Sequence, residues 1–463
     1  MKQVPLTAGL HVKRRIIVAR KAHRELTRRD FAKVATSGAL SVAAAGPFFL
    51  FPERAQAQQK TLRILQWSHF VPVYDQWFDN VFAKKWGEKH DTRVTVDHVT
   101  ARDVNTRGAA EVAAGKGHDL FLFEFPPAAY EKEVIDLTDL YQEVQKKHGK
   151  PIPLAQRSSF NPKTKKYFAF ADSYVPFPGN FRQDLWTQIG YFKGPDSYDD
   201  LRSGAKKIRD KFGNPCGIGL SQDNDTISAM HAILWSFGGS EQDEAGNVTI
   251  NSKQTIEALK FVRALYQESE TPEVFTWDET SNNRSMLAGR ISYTMNAVSI
   301  SRTAEKNNAE MSKRIWLCPA LKGPARRLSP GNVVNYYVIW RFSQNKEGAK
   351  QFLFDLIDNF GEAFKASEFY NFPCFPSTVP NLADLLARDS KATPEDKYKV
   401  LANVTDWTTN IGFPGYATPA INESISTFVL CTMFAKVARD QMSGEEAARA
   451  AEVELQRIFD RWK

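Results

Sequence analysis

Cysteine is scarce: the 463-residue chain has four, Cys216, Cys318, Cys374 and Cys431. That is too few for a disulfide scaffold in a chain this long, and none of the spacings resembles a zinc site. Three pairings, or unpaired buried thiols, remain open. Catalytic signatures are missing as well. The chain has no Gly-x-Ser-x-Gly, no His-Glu-x-x-His and no phosphate-binding loop, and Gly217-Ile218-Gly219 lacks the third glycine of a dinucleotide fingerprint. Acidic pairs such as Asp199-Asp200 fall on a predicted helix surface, where solvation explains them. These absences predict no enzyme, no cofactor and no metal, although a secreted carbohydrate-active enzyme needs only two carboxylates from anywhere in the chain. Nor is there a low-complexity linker, a run of like charges or an obvious internal repeat, so any domains are joined by short ordered crossovers.

What is present begins with Thr27-Arg28-Arg29-Asp30-Phe31-Ala32-Lys33. An arginine pair, the aromatic Phe31 two places on and the apolar run 34–51 form the pattern of a twin-arginine export signal. Gly38, Gly46 and Pro47 weaken that run as a membrane-spanning helix. Ala55-Gln56-Ala57 supplies a small-x-small cleavage site, so the processed chain is expected to start near Gln58. With no cysteine there to carry a lipid, the expectation is a free periplasmic protein without stable membrane insertion, handled by the twin-arginine translocase during export.

The formal net charge of +8 belongs to that leader. Residues 1–57 hold 11 of the 61 basic and 3 of the 53 acidic residues, which leaves 50 of each sign beyond Ala57. The basic balance therefore gives no reason to expect nucleic acid or an anionic membrane as a partner.

The roughly 400 residues that follow are too many for one compact core and predict two domains. Strand patterns over 61–65, 93–98 and 119–125 alternate with helical patterns over 77–86 and 104–114, the order of a parallel α/β sheet. Ser197-Tyr198-Asp199-Asp200 reads as a capping pattern ahead of a helix containing Leu201, Ala205 and Ile208.

Four phrases in order give the chain a family likeness. They are Glu111-Val112-Ala113-Ala114-Gly115-Lys116-Gly117-His118-Asp119-Leu120, Gly194-Pro195-Asp196-Ser197-Tyr198-Asp199-Asp200-Leu201, Met286-Leu287-Ala288-Gly289-Arg290 and Ser343-Gln344-Asn345-Lys346-Glu347-Gly348-Ala349. Together they resemble the family 1 extracellular solute-binding proteins, the receptors of ABC importers. The resemblance implies a two-lobed, type II periplasmic binding fold, each lobe a mostly parallel sheet flanked by helices. It implies a first lobe of 58–174 and 332–360, a second of 175–331 and 361–463, and hinge crossings near 171–179, 331–340 and Phe360. It further implies a monomer that closes on a small-molecule solute, a sugar, oligosaccharide or polyol, and presents it to ABC permease subunits. Polyamines, aromatic acids and ferric ion are the alternative cargoes.

Ligands of open α/β sheets sit at the carboxyl ends of strands, which selects the candidate residues. Trp67, Ser68, His69 and Tyr74 follow the first strand and combine aromatic faces with hydrogen-bonding groups. Glu124 ends the third strand, and Asp172 and Tyr174 lie in the first expected crossing. Trp235 and Trp277 are candidates for the opposite wall, with Asn296 and Ser299 as hydrogen-bonding groups and Phe413 and Tyr416 as a late aromatic loop. Tyr336 and Tyr337, with His69 and Glu124, would suit ferric ion, but neighbouring residues of a strand point to opposite faces, so one of the two tyrosines is expected to line a cleft for an organic ligand.

Overall fold

The computed structural model describes residues 60–463, and the expected export-signal residues Arg28, Arg29, Phe31, Ala55 and Ala57 lie outside them. β1 (Lys60–Trp67) pairs in parallel with β2 (Thr92–Val99) along its whole length, Lys60 opposite Thr92 through Trp67 opposite Val99. On its other side it pairs in parallel with β3 (Leu120–Phe123), whose four apolar residues are all buried, as a strand covered on both faces requires. The crossovers are a helical run over 72–89 and the helix Val104–Ala114, which ends where Gly115 takes a left-handed conformation.

The chain leaves this sheet along β4 (Phe170–Tyr174) and continues into a second sheet as β5 (Gly179–Arg182). There β5 pairs antiparallel with β6 (Tyr293–Met295) and β7 (Ile315–Cys318). The chain returns as β8 (Val334–Ile339), antiparallel to both β3 and β4, and later adds β9 (Phe372–Pro373) outside β4. The first sheet thus runs β9-β4-β8-β3-β1-β2 and the second β6-β5-β7. The expectation of a mostly parallel sheet in each lobe is corrected for both: in the first sheet only the pairs of β1 with β2 and β3 are parallel, while β3–β8, β8–β4 and β4–β9 are antiparallel, and in the second both pairs are antiparallel.

Each sheet has its own hydrophobic core. One gathers residues from Leu62 to Phe123, from Ala128 to Val175 and from Val333 to Trp407, with Ala297, Val298, Leu317 and Ala320; the other gathers Phe125 and residues from Phe177 to Leu321 and from Ile411 to Phe459. Between the sheets the paired crossing strands stay bonded: Val175 N–H donates to Val333 O at 2.7 Å and Asn332 N–H to Val175 O at 2.8 Å. Gly179 is required here, since a Cβ would fall 2.6 Å from Cys318 Sγ and from Tyr293 Oη.

The third crossing is not near Phe360. Phe360, Ala363 and Phe364 are buried in the first core, β9 joins the first sheet, and the chain packs there as far as Trp407. It then pairs Thr408–Thr409 in parallel with Ser329–Pro330 and passes to the second core. Residues 361–407 therefore belong with the first core rather than with the second lobe expected for them. Two further expectations have direct answers. Ser197 Oγ and Asp200 form a reciprocal capping box at the helix Tyr198–Phe212, and all four cysteines are buried and free.

Candidate functional site

The carboxyl ends of β1 and β3, the crossing strands and the start of the helix Asn224–Phe237 meet between the two cores. Trp67 ends β1 and is buried, its indole N–H donating to Asn335 Oδ1 at 3.2 Å. His69 stacks on it with ring centroids 4.9 Å apart, and Tyr74 and Tyr370 lie 4.6 and 4.8 Å from the imidazole. Val71 N–H donates to His69 Nδ1, so the proton sits on Nε2 and is donated to Asn371 Oδ1 at 3.2 Å. Burial lowers the His69 pKa to about 4, and the ring is neutral at physiological pH. Tyr370 and Asn371 follow two residues in left-handed conformation, Glu368 and Phe369, a strained turn for side chains with a Cβ. Arg302, from the second lobe, braces that turn by donating Nε–H to Glu368 O at 2.8 Å.

Three buried carboxyl groups give the region its electrostatic character. Glu124 Oε2 accepts from Asn224 Nδ2 at 3.2 Å, a bond between the lobes, while Glu124 Oε1 has no partner. Burial, reinforced by the charges of Glu279 and Asp225, lifts its pKa to about 8 despite the Asn224 bond. Asp225 collects three carboxamides: Asn282 at 2.7 Å, Asn296 at 3.1 Å and Asn332 at 3.2 Å. Burial and the neighbouring Asp223 carboxylate put Asp225 at about 7. Asp172 Oδ1 accepts from Ser173 Oγ at 2.9 Å, and Ser173 Oγ in turn accepts from Asn335, which ties Asp172 to Trp67. Its Oδ2 has no partner, and burial raises it to about 7. Burial, with the carboxyls of Asp225 and Glu124 adding to it, also pushes the Tyr370 phenol well up. Such a set can accept hydrogen bonds from hydroxyls or balance a cation against an aromatic surface.

The structure brings together Trp67, His69, Tyr74, Glu124 and Asn296 from the sequence candidates. Asp172 joins them through Ser173 and Asn335, and Ser299 through Asn283, which donates to it at 3.2 Å. The others sit elsewhere. Ser68 is exposed and only its backbone is engaged, with Val99. Tyr174 packs on Phe372 in the first core, and Trp235 fills the second core between His231 and Phe413. Trp277 packs half-buried on the second core, over Gly217, Phe413 is shared by Trp235 and Arg326, and Tyr416 lies under Arg157 beside Phe160. Tyr336 and Tyr337 diverge: Tyr337 Oη accepts from Gln66 at 3.0 Å, whereas Tyr336 lies by Ser158 and Tyr141. The paired-phenolate arrangement for ferric ion is thereby overturned, and among the described residues no cluster of His, Cys, Asp and Glu could hold a metal.

Sequence reasoning missed Tyr370, Asn371, Asp225, Asn282, Asn332 and Asn335. A signal existed for Asp225 alone: Asp223-Asn224-Asp225-Thr226 opens an apolar helix, and Asp223 caps it by accepting from the N–H groups of Asp225 and Thr226.

The family model for bacterial extracellular solute-binding proteins matches residues 72–354, more than half of the chain. The chain belongs to that family. Its members are receptors rather than enzymes. A “Probable ABC transporter-binding protein” of Deinococcus radiodurans is 24% identical over 162 residues, 34% of this chain and 38% of the relative. The chain thus spans only about two fifths of the length of the curated relatives it matches. Solved structures align over far more. Maltose-bound MalE3 of T. maritima has a TM-score of 0.71 at 19% identity, covering 86% of this chain and 99% of that one. A ribitol complex of a solute-binding protein from Agrobacterium radiobacter has a TM-score of 0.69 at 18% identity, covering 86% and 98%. These likenesses establish the two-lobed fold.

Proposed function

We propose that this family member captures a small hydroxylated solute, a sugar, oligosaccharide or polyol, between its lobes and delivers it to the permease of an ABC importer. The observation that carries the reading is the convergence of Trp67 and Tyr370 with Glu124, Asp225 and Asn296 from both sides of the lobe boundary. An aromatic face packs against the apolar face of a sugar ring, while carboxyl and carboxamide groups pair with its hydroxyls. The ligands of structural neighbours support it: maltose, tagatose, laminaribiose and ribitol occupy proteins of this fold. A partner permease is supported by the name of the Deinococcus relative. Export through the twin-arginine route, cleavage near Gln58, a periplasmic location and a monomeric state complete the proposal. No described helix is long and apolar enough to cross a membrane.

The test is a thermal-melt screen of the purified protein against neutral sugars, polyols, amines and aromatic acids. A ligand that binds the folded state raises the melting temperature with its concentration. A rise confined to hydroxylated solutes is the expected result, and a rise with aromatic acids alone would replace this reading.

A further inference from the structure

At the edge of the lobe boundary lies a cavity of about 90 Å³ lined by Glu124, Asp223, Asn224, Glu279, Arg102 and Gln222, among others. That is the room of about three waters, enough for one small polar substituent. We infer that this cavity takes a protonated amine, so that the solute is an amine-bearing sugar or polyol. The inference rests on the receptor reading above and narrows its ligand class.

Charge is the first argument. Arg102 is the one basic side chain of the lining, and it is exposed and paired with Glu279 at 3.2 Å. Glu124 and Asp223, with Asp225 just behind, have no cationic partner among the described residues. The helix end does not compensate, because Asp223 already occupies the N–H groups of Asp225 and Thr226.

Geometry is the second. Both Asp223 oxygens are taken, by Ser221, Thr226 and the backbone, whereas Glu124 is 5% exposed and its Oε1 has no partner. A hydroxyl would give that oxygen one hydrogen bond while the carboxyl kept its proton. An ammonium brings three donors and the opposite charge, and a charge-assisted bond is roughly twice as strong as a neutral one. Burial holds Glu124 at about 8, so an amine bound beside it has a proton to displace from the carboxyl at neutral pH.

The experiment compares glucosamine and its short oligomers with the matching glucose and N-acetylglucosamine series, and with spermidine, by calorimetry on the purified protein. The expected result is glucosamine-type binding that is about 10- to 100-fold tighter than either neutral series. Glu124→Gln, checked for a cooperative melt no lower than that of the parent, should erase that preference. Independently of any variant, two buffers of different ionisation enthalpy should reveal proton release on amine binding near pH 7. Equal binding of the neutral series overturns the amine inference and leaves the receptor reading standing. Spermidine binding without glucosamine binding overturns the hydroxylated part. Failure of every amine overturns the inference outright, and failure of the neutral panel as well sinks the receptor reading with it.

Discussion

Asn224 donates its carboxamide N–H to Glu124 Oε2 at 3.2 Å, joining the first residue of a helix packed in the second core to the residue that follows β3 of the first sheet. Arg102 and Glu279 make a second such contact, at 3.2 Å, between exposed and half-buried groups. Only the first is shielded enough to matter, since an exposed ion pair contributes little. Removing it should bias a hinged receptor toward its open form. Asn224→Ala is expected to enlarge the radius of gyration of the ligand-free protein in small-angle scattering. It should weaken ligand binding by about fivefold, the equivalent of one net hydrogen bond. An unchanged scattering profile and affinity would mean that the bond is incidental to closure.

The buried carboxyls set a pH dependence of stability. Glu124 rises from 4.5 to about 8, and Asp172 and Asp225 from 3.8 to about 7, in each case chiefly through burial. Below the unfolded values these groups are protonated in both states and their contribution is complete. Between about pH 4.5 and pH 8 the unfolded chain has released protons that the folded one retains, so stability falls as pH rises. The melting temperature should be higher at pH 5.5 than at pH 8. Asp172→Asn, which keeps the shape and removes the charge, should flatten part of that slope and regain on the order of 2 kcal/mol at pH 8. Denaturant unfolding at the two pH values measures both, and a slope unaltered by the substitution would contradict the assignment.

The uneven legibility of this chain has a physical basis. β1, β2 and β3 could be read because alternation and an unbroken apolar run state their burial directly, and the crossovers between them are local. Trp67 and Glu124 could be read because position at a strand's carboxyl end is itself a sequence property. Tyr370 and Asn371 could not, since they reach the site through the turn at Glu368 and Phe369, whose left-handed conformation no glycine announces. Nor could the carboxamides around Asp225, which are separated from it by 57 to 107 positions. The third crossing was misplaced for a related reason: the pieces between Phe360 and Trp407 are short and irregular, and their allegiance to the first core is decided by tertiary packing.

Arg302 links the lobes through a buried ion cluster. Its guanidinium pairs with Glu305 at 2.8 Å and Asp389 at 2.6 Å and lies 4.0 Å from the Tyr398 ring, while Lys397 approaches Glu305 at 3.5 Å. Truncating the arginine would leave two acids facing one lysine in a desolvated place, a loss of about 3–5 kcal/mol. Arg302→Ala should therefore lower the urea midpoint sharply, and Arg302→Lys should recover only part, because an ammonium cannot serve both acids and stack on the ring. The same substitution frees Glu368 O, so faster hydrogen exchange is expected at Tyr370 and Asn371. A loss below about 1 kcal/mol, as for an exposed pair, would show that the cluster is solvated in solution.

The export proposal stands on Arg28 and Arg29, and it can be tested without any knowledge of the ligand. Lysine keeps the charge of the leader and its amphipathic character, so a route that reads charge alone would tolerate the double change Arg28→Lys with Arg29→Lys. A translocase that reads the guanidinium pair would not. Fractionation of cells expressing the two forms should find the parent outside the cytoplasm, processed near Gln58, and the double variant retained inside at full length. Equal processing of both would remove the twin-arginine route while leaving the solute-binding fold of residues 60–463 as described.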